Sequence, residues 1–266
     1  MAQEVYRSGM SRGQYADPGA GDPGGWYLRG DVGATMQKID RLHNVDYELR
    51  LAPVAQTAIF DASALVGGGI GYQFNSWLRA DVTGQYRANA NFKGSDRFVY
   101  GLGGGVQGAA IDTYIASVSS YVLMANVYAD LGTWYNITPF VGAGIGASRN
   151  TVKGLIDNSL ADVSPGVVGP GVAYADPASK WNMAWALHAG LAYKIDPSLT
   201  LELGYHYMNL GDALSGDSVT FQGANTLYNP MEFKSLTSHD VTIGLRWNLD
   251  PGPVYMAPPP PLVRKG

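Results

Sequence analysis

Two histidines, His188 and His206, flank the turn Asp196-Pro197-Ser198 in the stretch running from Met183 to Leu210. A three-residue turn there pairs Ile195 with Leu199. Counting outward along an antiparallel ladder then sets His188 opposite His206 and Ala192 opposite Glu202. Two facing imidazoles can hold a metal ion or respond to pH near neutrality. No third ligand is identified, so a hydrogen-bonded pair near Glu202 and Asn182 is the simpler reading. A shared metal would require a carboxylate within reach of both rings.

Other motifs carry less. Gly103-Gly104-Gly105-Val106-Gln107-Gly108 spells the G-x-G-x-x-G dinucleotide pattern, but no helical periodicity follows and the run lies inside a long connection. Asn136-Ile137-Thr138 matches a glycosylation acceptor only as a short pattern before Pro139. The chain has no Cys and no G-x-S-x-G elbow, and His43 with Asp46 is an isolated pair in a polar connection. No catalytic constellation, resident metal or cofactor is expected.

Composition bounds the elements that must position these residues. The 266 residues include 35 Gly, 17 Tyr and 6 Trp but only 15% charged residues, too rich in apolar and aromatic side chains for a disordered chain. A membrane helix needs about 20 consecutive apolar residues, and no window runs so far without Gly, Asp, Arg or Asn. The net charge of −4 leaves no basic footprint for nucleic acid. The start, Met1-Ala2-Gln3-Glu4, lacks the basic and apolar regions of a signal peptide, so an exported chain would stand here in processed form. Residues 1–24 are rich in Gly, Asp and Pro. Residues 250–266 contain the run Pro258 to Pro261 followed by Arg264-Lys265. Both read as tails around a domain at 25–249.

Within that domain, eight segments alternate with period two: Trp26–Met36, Ala64–Phe74, Leu78–Tyr86, Ser120–Leu131, Phe140–Ser148, Asn182–Ile195, Leu199–Met208 and His239–Leu249. Their lengths of about 9 to 11 residues suit tilted strands that cross a bilayer. Three connections are short: Asn75 to Trp77, Gly132 to Pro139, and Asp196 to Ser198. The four others, near 37–63, 87–119, 149–181 and 209–238, are long and loaded with Gly, Asn, Asp and Ser. Strict short-long alternation predicts an up-and-down barrel with tight turns on one rim and loops on the other.

The two strand faces differ sharply. One carries Leu187, Leu191, Leu201, Leu203, Val241, Ile243 and Leu245, with Trp26, Tyr72, Tyr86, Tyr121, Tyr193, Tyr207 and Trp247 near segment ends, and no charge. The other carries Arg29, Asp31, Arg79, Asp81, Asp130, His188, Lys194, Glu202, His206 and Arg246, four bases balanced by four acids. A soluble ligand-binding barrel would bury the apolar face and a membrane barrel the charged one. Balanced charge among Gly and Ala, sparse Lys and Glu, and aromatic residues at interfacial positions favour the membrane arrangement. The expected fold is an eight-stranded antiparallel up-and-down transmembrane β-barrel, all-β. Its lumen is crowded with ion pairs and its turns are periplasmic.

The segments "GWYLRGDVG" (Gly25 to Gly33), "PFVGAGIGAS" (Pro139 to Ser148), "LHAGLAYKIDPSLTLELGYHYMNLGD" (Leu187 to Asp212) and "HDVTIGLRWNL" (His239 to Leu249) resemble the small eight-stranded outer-membrane barrels of α-proteobacteria, the opacity-protein-like porin family. The resemblance implies an outer-membrane protein of a Gram-negative bacterium, with periplasmic termini and exposed loops, and a role in envelope integrity and surface contact. Implied partners are outer-membrane lipid, lipopolysaccharide and the barrel-assembly machinery; partners of the loops are unnamed. Relatives finish at the last strand, whereas here a 17-residue tail follows Leu249. Some similar barrels attach to peptidoglycan through a processed N-terminus, which makes Ala2 the attachment candidate. Eight strands leave room only for side chains, so general pore activity is not carried over, although a narrow channel for small solutes or ions remains the alternative.

Overall fold

The computed structural model describes residues 24–45, 47, 54–221, 223 and 227–249. The proposed tails, with Ala2, and Asp46 lie outside the described residues. Thirteen strands form in chain order: β1 Gly25–Lys38, β2 Arg41–His43, β3 Ala55–Phe60, β4 Ser63–Gln73, β5 Leu78–Gly103, β6 Val106–Asp130, β7 Ile137–Ser164, β8 Val167–Ala175, β9 Ala178–Lys194, β10 Leu199–Asn209, β11 Ala213–Thr220, β12 Pro230–Lys234 and β13 Thr237–Asn248. No helix among the described residues is long and apolar enough to cross a membrane, which says nothing of strands.

Eight of the strands close into a ring: β1 pairs β4, then β5, β6, β7, β9, β10 and β13 follow, and β13 returns to β1. All pairings are antiparallel, so no sheet edge is left in this ring. Its tight turns have local causes. Tyr135 and Asn136 both take positive φ, 51° and 65°, between Trp134 and Ile137, whose backbones exchange two hydrogen bonds of 2.9 Å. That primed geometry matches the twist of the strands it joins. At the turn after β9, the Asp196 carboxylate accepts from the Ser198 N–H at 2.7 Å and the Leu199 N–H at 2.8 Å, an Asx arrangement that fixes the register.

Most of the described residues in the four long connections are strand. β5, β6 and β7 run on well past the ring, and β3, β8, β11, β12 and β2 join them to make a second, upper ring in the order β3-β5-β6-β7-β8-β11-β12-β2. Among the described residues no backbone ladder joins β2 to β3. The amide of Gln56 spans that seam instead, accepting from the Leu42 N–H at 3.0 Å and donating to the Leu42 carbonyl at 2.9 Å.

Two bulges mark the junction of the rings. Between Arg87 and Ala90, β5 advances three residues while β6 advances two, from Ser120 to Val118. On β7 the extra residue lies between Lys153 and Ile156, opposite Ser117 and Ile115. Gly154 there has φ of +61°, a conformation that costs L residues. Each bulge switches which alternate residues point inward. On β5 the buried series Arg79, Asp81, Thr83, Arg87 gives way to Ala90, Phe92, Asp96 and Phe98.

Candidate functional site

The lower ring encloses charge. Glu202 on β10 lies at the centre, with Arg79 Nη1 and Arg246 Nε each 3.3 Å from Oε1 and Arg29 Nη2 3.5 Å from Oε2. Asp31 and Asp81 take the other contacts of Arg29, at 2.8 and 3.1 Å, and Asp130 meets Arg79 at 3.2 Å. Aromatic rings fill the gaps. The Arg79 guanidinium lies over Tyr128 and Phe140, 4.4 and 4.7 Å from their centroids, and that of Arg246 lies 5.5 Å from the Tyr27 centroid. Arg79 has no solvent exposure and Glu202 only 3%.

The histidines meet as the turn register requires: His206 faces His188 and Glu202 faces Ala192. Their Nδ1 atoms are 2.8 Å apart. The outer nitrogens are engaged by Asn126 Oδ1, 3.1 Å from His188 Nε2, and Thr242 Oγ1, 2.9 Å from His206 Nε2. Among the described residues no carboxylate completes a metal-binding group. The pair is a link in a chain that continues through Asn126 to Asp81 at 2.7 Å. Gly204 makes room for it, since a Cβ there would lie 2.7 Å from His206 Nε2 and 2.8 Å from Thr242 Oγ1.

Nine of the ten charged or histidine residues assigned to the lumen from sequence are buried inside: Arg29, Asp31, Arg79, Asp81, Asp130, His188, Glu202, His206 and Arg246. Lys194 is the correction. It shares their face but lies at the end of β9, exposed, beside a small polar mouth also lined by Asp130, Thr200 and Arg246. Arg87 and Asp240, which the sequence reading did not select, form a fully buried pair at 2.6 Å near the top of the lower ring. Asp240 follows directly from alternation with Thr242 and Arg246, and Arg87 from Arg79 and Asp81.

The outer surface is apolar. Leu187, Leu191, Leu203, Val241, Ile243 and Leu245 are 47–57% exposed and Leu201 is 38% exposed, whereas the soluble-barrel reading required them inside. Two aromatic belts bound this band. Trp26 packs edge-on against Tyr72 at 5.3 Å near the turns, while Tyr86 with Tyr121, at 4.7 Å, and Trp185 with Tyr207, at 5.6 Å, sit near the ring junction. On β13 the belts fall at Trp247 and His239, eight residues apart, or about 26 Å along a tilted strand.

The upper ring has a more apolar interior, although Asp96 and Asp112 are buried there beside the Tyr114 hydroxyl. Phe92, Val118, Val152, Leu155, Leu210, Phe233 and Leu236 form its buried core with Leu42, Met231 and Tyr114. Phe233 stacks edge-on against Phe92 at 4.9 Å. Asp212 latches the covering strands to the barrel. Its carboxylate meets Lys180 at 3.0 Å and Lys234 at 3.7 Å and accepts from the Ser235 N–H at 3.0 Å, while its carbonyl accepts from Asn182 and Asn150. Partial burial raises its pKa, but these donors and cations outweigh that and hold the carboxyl below its ordinary 3.8. His43, isolated in the sequence reading, contacts Glu232 across β2 and β12 at 3.4 Å. The Gly103 to Gly105 run turns the β5–β6 hairpin with φ of 92°, 59° and 81°, which accounts for its glycines without a nucleotide.

A closed antiparallel ring, apolar outside and ionic within, with short turns at one rim and long hairpins at the other, defines an outer-membrane β-barrel. Residues 8–248 match the family described as "Outer membrane protein beta-barrel domain", and the chain belongs to that family. An uncharacterized protein of Brucella abortus is 30% identical over 249 residues, covering 84% of each chain. A candidate adhesin of Rickettsia prowazekii is 25% identical, covering 84% of this chain and 87% of its own. Among solved structures, Neisserial surface protein A aligns over 84% of this chain and 97% of its own at 15% identity, with a TM-score of 0.45. The protein resides in the outer membrane of a Gram-negative bacterium, with the turn rim periplasmic and the upper ring outside the cell.

Proposed function

We propose that this barrel is a structural, surface-interacting protein of the envelope whose contacts are made by the upper ring, and that it neither conducts nor catalyses. The observation that carries the reading is the upper ring itself, eight strands packed around an apolar core that continues down to Val122, Met124 and Met208 of the lower ring. Such packing holds the outward surface in one shape, so a partner meets a pre-organised face. The β7–β8 hairpin projects well beyond the membrane belts and carries exposed apolar residues at its tip: Leu160, Val163, Val167 and Val168, each 51–62% exposed. Isolated exposed apolar residues mean little, but a contiguous set marks contact surfaces. The candidate adhesins among the Rickettsia relatives support the same direction. Two successive fillings, the ion network around Glu202 and the core around Phe233, lie across any axial path, which disfavours the channel alternative.

The test is adherence of Gram-negative cells displaying the full chain to cultured animal cells and matrix-coated surfaces. Wild-type cells should adhere above vector-only cells, and the triple change Val163→Ser, Val167→Ser, Val168→Ser should remove the difference while heat-modifiable migration of the barrel persists. Adherence equal to vector-only cells sinks the surface-contact reading. Stable single-channel conductance in planar bilayers would restore the narrow channel.

A further inference from the structure

The outside of the lower ring is not smooth. Gly30, Gly68 and Gly84 stand side by side on β1, β4 and β5 at matching register, all on the outward face. Over Gly68 and Gly84 lies a groove of about 430 Å³ whose walls include Val66, Tyr86, Tyr121, Leu123 and Trp181. Its lining is almost wholly apolar, and a Cβ added at Gly84 would find nothing within 4 Å. In a bilayer such a hollow cannot stand empty, because unfilled space forfeits dispersion contacts along its walls. The groove reaches the belt formed by Tyr86 and Tyr121, which places it in the outer-leaflet half.

The charge above the groove selects the occupant. Arg149 on β7 is the register partner of Tyr121 on one side and Trp181 on the other, and it is exposed on the same outward face. Lys153 stands four residues higher on that face, also exposed, just before the β7 bulge. No carboxylate among the described residues pairs with either. The neighbouring outward positions, Ile115 and Ser117 on β6 and Ser179, Trp181 and Met183 on β9, carry no acid. In a chain of net charge −4, two unopposed cations at headgroup height directly beside an apolar groove match an anionic headgroup with its acyl chain below.

We propose that this groove binds a phosphorylated lipid of the outer leaflet, one acyl chain lying over Gly68 and Gly84 between Tyr86 and Trp181, and its phosphate held by Arg149 and Lys153. The site is independent of the adhesive reading, since it lies on the membrane-facing wall and not on the upper ring.

The test is native mass spectrometry of the full chain released by detergent from phosphatidylcholine vesicles containing lipid A as the phosphorylated probe. The wild-type barrel should retain one lipid A and discard phosphatidylcholine. Gly84→Leu places a side chain in the groove from a position whose Cβ meets nothing within 4 Å, and Arg149→Glu with Lys153→Glu reverses the charge. Each should lower the retained fraction by about tenfold, the scale of one charge-assisted contact or a filled pocket. Heat-modifiable migration reports whether each variant folds, and Trp181→Ala replaces any that does not. Retention unchanged in folded Gly84→Leu overturns the groove, and equal retention of phosphatidylcholine overturns the phosphate contact.

Discussion

The two rings share β5, β6 and β7 yet are built on different interiors. The lower ring is held inside by Glu202 and its arginines and turns its leucines outward to lipid; the upper ring packs Phe233, Phe92 and Leu236 inside and stands in water. The same covalent strands serve both: β5 and β7 each cross the junction through one extra residue, while β6 keeps a single alternation through both rings. A bulge reverses the facing of every residue beyond it. The polarity of each interior is therefore set by the solvent on the other side of the wall.

That contrast can be broken at its strongest points first. Glu202→Gln leaves three buried guanidinium groups without their shared carboxylate and should cost about 3 to 5 kcal/mol. It should lower the urea midpoint of the whole barrel in vesicles. Phe233→Ala should cost about 3 to 5 kcal/mol as well, but locally: hydrogen exchange should rise in β11 and β12 and stay slow in β10 and β13. If Phe233→Ala loosens both rings equally, the two interiors are one cooperative unit and the contrast fails.

Weaker changes sharpen the outer faces. Leu203→Arg, at a half-exposed position between the belts, should cost about 2 to 4 kcal/mol in vesicle unfolding. Val168→Arg, more exposed but on the upper ring, should stay within about 0.5 kcal/mol. Similar costs for both would place lipid against the upper ring. Acid should act on the latch. Because the Asp212 carboxyl is held below its ordinary 3.8, its contribution is fully present above that value and is lost as pH falls through the lower folded value. Protection of β11 and β12 should therefore decline below about pH 4, and Asp212→Asn should show the lowered protection already at neutral pH. Inside the lower ring the mildest change is His206→Gln, which keeps a polar partner for Thr242 and should cost at most about 1 kcal/mol in the same urea titration.

Much of this was legible in the residues, and the limits of legibility have a physical form. Alternation located the eight membrane strands, and the three-residue turn at Asp196 fixed the His188–His206 pairing. The expected third and fifth strands stopped at Tyr86 and Ser148, whereas β5 runs to Gly103 and β7 to Ser164. The bulges near Ala90 and Gly154 interrupt the period just beyond those stops, so a continuing strand reads as a loop. Lys194 failed differently. Parity assigns a face but not a height, and at a rim the inward face is already wet. Arg87 was missed because it lies one residue past the expected third strand; its partner Asp240 was missed although it lies inside the segment His239–Leu249 and shares the face of Arg246.

The seam at Gln56 gives the upper ring a mechanical character that the lower ring lacks. Among the described residues that circumference is tied by peptide ladders at seven joints and by one side-chain amide at the eighth, a split ring. Releasing that clasp exchanges two hydrogen bonds with water, about 1 to 3 kcal/mol in all, against the concerted loss of a whole ladder at any other joint. Under load, the expected first point of opening is this gap, before the hoop in the membrane changes its diameter.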